Sequence, residues 1–219
     1  MEQTLTCAQC GARNCKSKTG TFPQFCLTTA LGDNLVQEVT ARYKADKGDE
    51  KIALVAGRLE SEFYGRATRV EEMLIFIKRM GYKKVGVAAC MGLMNECSLF
   101  VRAAEAKGIG LYAVTCKVGA VDKTEVGLGE DEKNVPNQFE AMCNPILQAE
   151  ALNREGTEFN IIMGLCVGHD SLFIKHSKAP VSYLIVKDRV LCHNPAGALY
   201  NTGTFYSRLM GPNLPKGRS

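Results

Sequence analysis

FNIIMGLCVGHD, residues Phe159–Asp170, is the stretch whose reading decides the fold. The apolar run from Phe159 to Leu165 is too short for an ordinary helix and reads as a buried strand. It passes through Cys166-Val167-Gly168-His169-Asp170 into a helix-like stretch, Ser171 to Ser177. In an open α/β sheet such a corner, a strand's carboxyl end facing a helix N-terminus, is where ligands bind. The pattern recurs: Lys84–Ala89 ends in Cys90, Leu111–Thr115 ends in Cys116, and Val181–Val186 is followed by Cys192-His193. Neighbouring strands lie ~5 Å apart, so thiols ending adjacent parallel strands fall within roughly 5–10 Å of one another. That spread suits the edge of a small cluster or the ligand sphere of a metal. Cys143 joins this set, giving five thiols around one crevice, with His169 and His193 beside them. Cysteine is also a small buried hydrophobe, and simple packing is the competing explanation for each of these positions. Cys97 falls inside a helical stretch and reads as core.

Working outward, strand Lys84–Ala89, helix Cys97–Lys107 and strand Leu111–Thr115 form a βαβ unit. The expected architecture is α/β, a mostly parallel sheet of four or five strands with helices on both faces. The corner Met91-Gly92-Leu93-Met94 has a single glycine and lacks the G-x-G-x-x-G fingerprint, so a dinucleotide site is not supported. The connection from Lys117 to Cys143 exceeds the usual βα loop and reads as a lid or binding loop, with Phe139 to Met142 helical. Asn144-Pro145 has the form of an N-cap followed by proline at the first helical position, opening a helix to about Glu155. The same pairing returns at Asn194-Pro195. Cys143 and His193 thus stand just before helix starts, where the positive end of the macrodipole favours a thiolate.

Ahead of the sheet region come three helical stripes. These are Leu31, Leu35, Val39 and Tyr43; then Ile52, Val55, Leu59 and Phe63, with Asp49 as N-cap; then Val70, Met73, Leu74 and Ile77. All three read as core faces. Thr68-Arg69-Val70-Glu71 is a capping-box pattern and Gly81 a C′ glycine. Before them lies a head with spacing Cys7-x2-Cys10-x4-Cys15-x10-Cys26. It is too poor in periodic apolar residues to order itself, so a bound metal is its expected stabiliser. The expected organisation is a metal-binding head at 1–29 and an α/β domain at 30–219. Within that domain helices occupy 30–81, the sheet region 83–200, and a frayed tail follows Tyr206.

The chain has 219 residues, 46% hydrophobic content and ten cysteines against three histidines. No run reaches the ~18 apolar residues of a membrane span, and the start has no signal-peptide core, so a cytoplasmic protein is expected. In a reducing compartment clustered thiols read as metal or catalytic sites rather than disulfides. A sulfur-rich donor set favours iron–sulfur or zinc. The net charge of +4 is mild, and no basic tract is interleaved with aromatics, so nucleic acid is not an expected partner.

Three segments, CAQCGARNC, GLCVGHDSLFIKHSKAPVSYLIVKDRV and HNPAGALY, carry a likeness. The chain resembles a domain-of-unknown-function family of cysteine-rich proteins, regarded as metal-binding and found largely in anaerobic bacteria and archaea. The resemblance implies a metal site at the cysteines and no particular reaction. On residues matching its motifs it carries over Cys7, Cys10, Cys15, Cys26, Cys166, His169, Asp170, His193 and Asn194, and an anaerobic setting favours iron–sulfur chemistry over zinc. The reading is therefore an iron–sulfur cluster, 4Fe-4S in form, at the strand ends, with zinc as the alternative. Its metal ligands come from Cys90, Cys116, Cys143, Cys166 and Cys192, and a second site uses the head cysteines. Asp170 reads as a helix cap, His169 as the acid or base, and His193 and Asn194 as cofactor-binding groups. Redox, dehydration or sulfur transfer on a small molecule, with an electron donor as partner, is the expected use. A cluster carrier or redox sensor is the non-catalytic alternative.

Overall fold

Four parallel strands stand at the centre of the computed structural model, which describes residues 4–215. They are β1 (Val85–Ala89), β2 (Leu111–Thr115), β3 (Phe159–Met163) and β4 (Val181–Ile185), in the order β2-β1-β3-β4. Every residue of β1 and β3 is buried, as expected of central parallel strands covered on both faces. In register, Val85 pairs with Leu111 on one side and Phe159 on the other, and the alignment runs unbroken to Ala89. Between β3 and β4 it shifts at Ile162/Met163, so Met163 pairs with Ile185. Such an irregularity re-aims the chain as it leaves the sheet.

The chain divides into two units, Met1–Glu62 and Phe63–Ser219. In the second, α4 (Arg69–Met80) is capped as its sequence dictates. Thr68 and Glu71 bond reciprocally to each other's backbone, and Gly81 closes the helix at φ 72°. It covers one face of the sheet together with α5 (Met94–Glu105): Leu74, Ile77, Cys97, Phe100 and Ala104 pack on Val85, Val87, Ala89, Ile161 and Met163. On the other face lie α6 (Pro145–Glu155) and α7 (His169–His176), whose Ala149, Leu152 and Phe173 meet Ala88, Val114 and Ile162. Alternate residues of β1 thus feed opposite cores, the period of two that a strand imposes. Gly86 is where the second layer comes closest: a Cβ there would stand 2.2 Å from Asn160 Oδ1 and 2.7 Å from Leu152 Cδ1.

The first unit holds the cysteine-rich head, α1 (Leu27–Ala30), α2 (Gly32–Ala45) and most of α3 (Lys47–Phe63). The cap expected from Asp49 is supplied by Asp46, whose Oδ1 accepts from the N–H groups of Gly48 and Asp49, so α3 starts earlier than its apolar stripe. The α2 stripe, read as core, is exposed along its length: Leu31, Leu35, Val39 and Tyr43 are all at least 40% accessible. Burial of a helix stripe requires a second layer, and a unit of this size has little surface with which to provide one.

The long connection is not helical at 139–142. Lys123 N–H donates to Glu140 O and Met142 N–H to Val121 O, with a bridge between Asp122 and Ala141, so the two stems pair antiparallel. The expected fray after Tyr206 holds one 3-10 turn, Ser207–Met210, and residues 216–219, including Gly217, lie outside the described residues. So do the first three residues of the head. Among the described residues no helix is long and apolar enough to cross a membrane.

Candidate functional site

Strand order 2-1-3-4 reverses direction between β1 and β3, and the crevice outside their carboxyl ends is the switch point of the sheet. Cys90 leaves β1 there, its N–H still bonded to Met163 O at 3.0 Å. Cys116 leaves β2 with its N–H on Ala89 O at 2.8 Å. Both are thus held by the ladder one residue beyond the strands. Cys143 arrives from the long loop, and Asn144 N–H on Cys116 O at 2.8 Å seats it beside Cys116. Cys166 follows the turn after β3. These four thiols and His169 line one crevice, with Pro145, Gln148 and Leu165.

Gly164 makes the turn to Cys166 possible. Its φ is +69°, and a Cβ there would stand 2.1 Å from Leu93 Cδ1. Beyond it, the N–H groups of His169 and Asp170 return to Cys166 O, and α7 begins. Asp170 braces this corner: Oδ1 accepts from the N–H groups of Gly168 and Ser171, and Oδ2 accepts the Tyr183 hydroxyl at 2.7 Å. Gly168, not Asp170, is the N-cap of α7; Asp170 lies inside the first turn, where its carboxylate ties the corner to β4.

The thiols shift one another's ionisation: interaction with Cys143 and Cys90, with burial, pushes the Cys116 thiol pKa up. The same interaction with Cys116 is the main cause that brings Cys90 down to about 5, helped by the Gly92 N–H and Lys187. Cys143 falls to about 5, again chiefly through Cys116, with Lys117 and His169 contributing. Cations stand at the sulfurs: Lys187 Nζ donates to Cys90 Sγ at 3.3 Å and Arg189 Nη2 to Cys166 Sγ at 2.9 Å. Lys117 donates to Ala141 O beside Cys143. Met91 N–H adds a donor to Cys116 Sγ at 3.3 Å.

Two buried polar atoms at this crevice, Gln148 Oε1 and His169 Nδ1, have no hydrogen-bond partner. Gln148 is fully buried, and its Nε2 donates to Ala89 O at 3.2 Å and Val114 O at 2.8 Å. It stitches together the ends of β1 and β2, the two strands that deliver Cys90 and Cys116.

Other predicted site residues are not brought to this crevice. Cys192 is exposed, and it and His193 take left-handed φ values of 50° and 63° in the loop after β4. His193 closes that loop on itself, Nδ1 accepting from Asp188 N–H at 3.1 Å, and Asn194 is exposed ahead of α8 (Ala196–Tyr200). Of the head cysteines, Cys7 and Cys15 are exposed and Cys10 and Cys26 half-buried in the first unit, and all are free thiols. Cys97 is core, as expected. Among the described residues no group of three or more His, Cys, Asp or Glu side chains is arranged to hold a single metal ion as it stands. The donor set nonetheless suits a soft metal or an iron–sulfur cluster, and an unpartnered buried imidazole nitrogen sits within it.

The family model described as "Protein of unknown function (DUF1847)" matches residues 26–184, a span that holds all eight residues lining the crevice. The chain belongs to this family. It is also 43% identical over 196 residues to the uncharacterized protein MJ0455 of Methanocaldococcus jannaschii, an alignment covering 90% of this chain and 94% of that protein. The likeness extends past the family match and names no reaction.

Sequence reasoning missed the cations as partners of sulfur. Lys187 and Arg189 alternate just past β4, and that period-two spacing at a strand exit was the available signal. Nothing in the sequence marked Gln148, which looks like any polar residue on a helix.

Proposed function

We propose that the strand-end crevice binds a thiolate-ligated metal centre, iron–sulfur in kind, on which a small molecule is bound or reduced. The supporting observation is the convergence of Cys90, Cys116, Cys143 and Cys166, from four separate segments, at the switch point of a parallel sheet. Thiols serving only as packing do not need cations against their sulfurs, yet Lys187 and Arg189 each contact one. Cys90, Cys116 and Cys166 are the ligands held by strand ends, with Cys143 as a fourth. To hold a metal, Cys90, Cys116, Cys143 and Cys166 would supply thiolate sulfur, the soft donor such a centre takes. When bound, such a cluster supplies electron transfer or an open iron for a small molecule. His169 stands beside it with Nδ1 unpaired, able to hold or move a proton. The head cysteines, Cys7, Cys10, Cys15 and Cys26, form a second, structural metal site in this reading.

The test is iron, zinc and acid-labile sulfide analysis, with an absorption spectrum, on anaerobically purified protein. A brown sample with iron and sulfide in near-equal amounts is expected, and a colourless zinc protein overturns the iron–sulfur reading. A second reading, a thiol redox sensor, is favoured by the contacts of Cys116 with both Cys90 and Cys143. Metal-free protein that loses two titratable thiols to one equivalent of peroxide, forming a disulfide and two waters, selects it instead.

A further inference from the structure

We infer that the cavity beside the thiol crevice is a binding site for a small carboxylate with an aliphatic body. This deepens the proposed function, and rests on it for the crevice as the reacting end. The cavity, about 540 Å³, lies under the long loop and against the starts of α6 and α7. That size falls in the range of small-molecule pockets, roughly 300–1,000 Å³. Cys143, Cys166 and His169 line both the cavity and the crevice, so a ligand in one reaches the other.

Charge and lining select the ligand. Lys123 is neutralised by Glu140 at 2.6 Å. Lys117 bonds the Ala141 carbonyl and also acts on the Cys143 sulfur, and Arg189 bonds the Cys166 sulfur, so both cations face thiols rather than a carboxylate. A guanidinium carries five N–H donors in a planar fork suited to a carboxylate, and the Cys166 bond takes one of them. The far walls are aliphatic: Val126, Leu128, Ile146 and Leu172. Among the described residues no tyrosine or phenylalanine lines the cavity, so it has no phenyl or phenol platform for a base. An anionic head at Arg189 and Lys117, with an alkyl chain against Leu172 and Ile146, matches both the cationic and the aliphatic lining.

The test titrates sodium hexanoate into the full-length protein by calorimetry, with 1-hexanol and inorganic phosphate as controls and metal content measured on each sample. Hexanoate is expected to bind in roughly the millimolar range or tighter. Each control should be at least about tenfold weaker, because it lacks either the head or the chain. Arg189→Gln should weaken hexanoate about tenfold or more. So should Leu172→Asp and Val126→Asp, which place a negative charge on exposed walls without touching the core. Absence of hexanoate binding by folded, metal-loaded protein overturns this inference alone, as does equal binding of hexanol, tighter binding of phosphate, or indifference to all three variants. Hexanoate binding by protein that contains no metal after anaerobic purification upholds the cavity, while the missing metal overturns the metal reading.

Discussion

Gly164 and Gln148 set the separation of the thiols without carrying any chemistry. At Gly164 a side chain meets a positive φ and the buried Leu93 together, so G164A should lower stability by at least ~1–2 kcal/mol. A thermal melt checks this, and an unchanged midpoint would mean that Leu93 moves aside freely. Q148L keeps the volume but leaves the Ala89 and Val114 carbonyls without their side-chain donor, a cost of about 1–3 kcal/mol. Its specific sign is that metal content falls while far-UV dichroism does not. Cys90, Cys116 and Cys166 were legible from sequence because each follows a short apolar run that reads as a strand, and Cys143 because it stands just before the Asn144-Pro145 helix start. Cys192 was not. Its distance from β4 hides the consecutive left-handed residues, Cys192 and His193, that turn the loop back on itself, and backbone handedness at a non-glycine residue leaves no trace in composition.

At the scale of the element, the connection from Lys117 to Cys143 is held by one buried cation. Lys133, only 8% accessible, bonds Asp122 and Glu130 at 2.9 Å each and the carbonyl of Gln138. Asp122 is held below the usual carboxylate range chiefly by Lys133, and then by the N–H groups of Thr124 and Glu140. Glu130 is lowered first by Lys133, and Glu140 first by Lys123. Depressed folded-state values mean that this stabilisation is complete above the unfolded carboxylate pKa, near 4–4.5, and is lost as pH falls through the lower folded values. The loop should therefore resist protease at pH 5–8 and open below about pH 4. K133M should open it at neutral pH, with cleavage within 117–143 rising roughly tenfold or more while the sheet stays intact. Cleavage at the wild-type rate would show that the antiparallel stems alone hold the loop. The length of the connection suggested a lid or binding loop, and the helix expected at 139–142 did not form. The stems pair through Lys123 N–H and Met142 N–H, contacts between residues far apart in sequence that no local pattern displays.

For the whole molecule, the parallel α/β class followed from strand-helix alternation, whereas the strand order did not. Periodicity says which face of a strand is buried, not which strand lies beside it. Order 2-1-3-4 puts Cys90 and Cys166 on either side of the switch point and Cys116 next to Cys90, and this turns dispersed cysteines into one site. The head, Met1–Thr29, lies in the other unit and carries its own four thiols. The two sets can be emptied separately. The most direct measurement is iron and acid-labile sulfide content, under anaerobic conditions, of two full-length variants. One has Cys116→Ala with Cys166→Ala, and the other has Cys7, Cys10, Cys15 and Cys26 all changed to serine. The head variant should keep a cluster with iron and sulfide in near-equal amounts, and the crevice variant should lose it while remaining folded. A folded crevice variant with undiminished iron and sulfide would contradict the account.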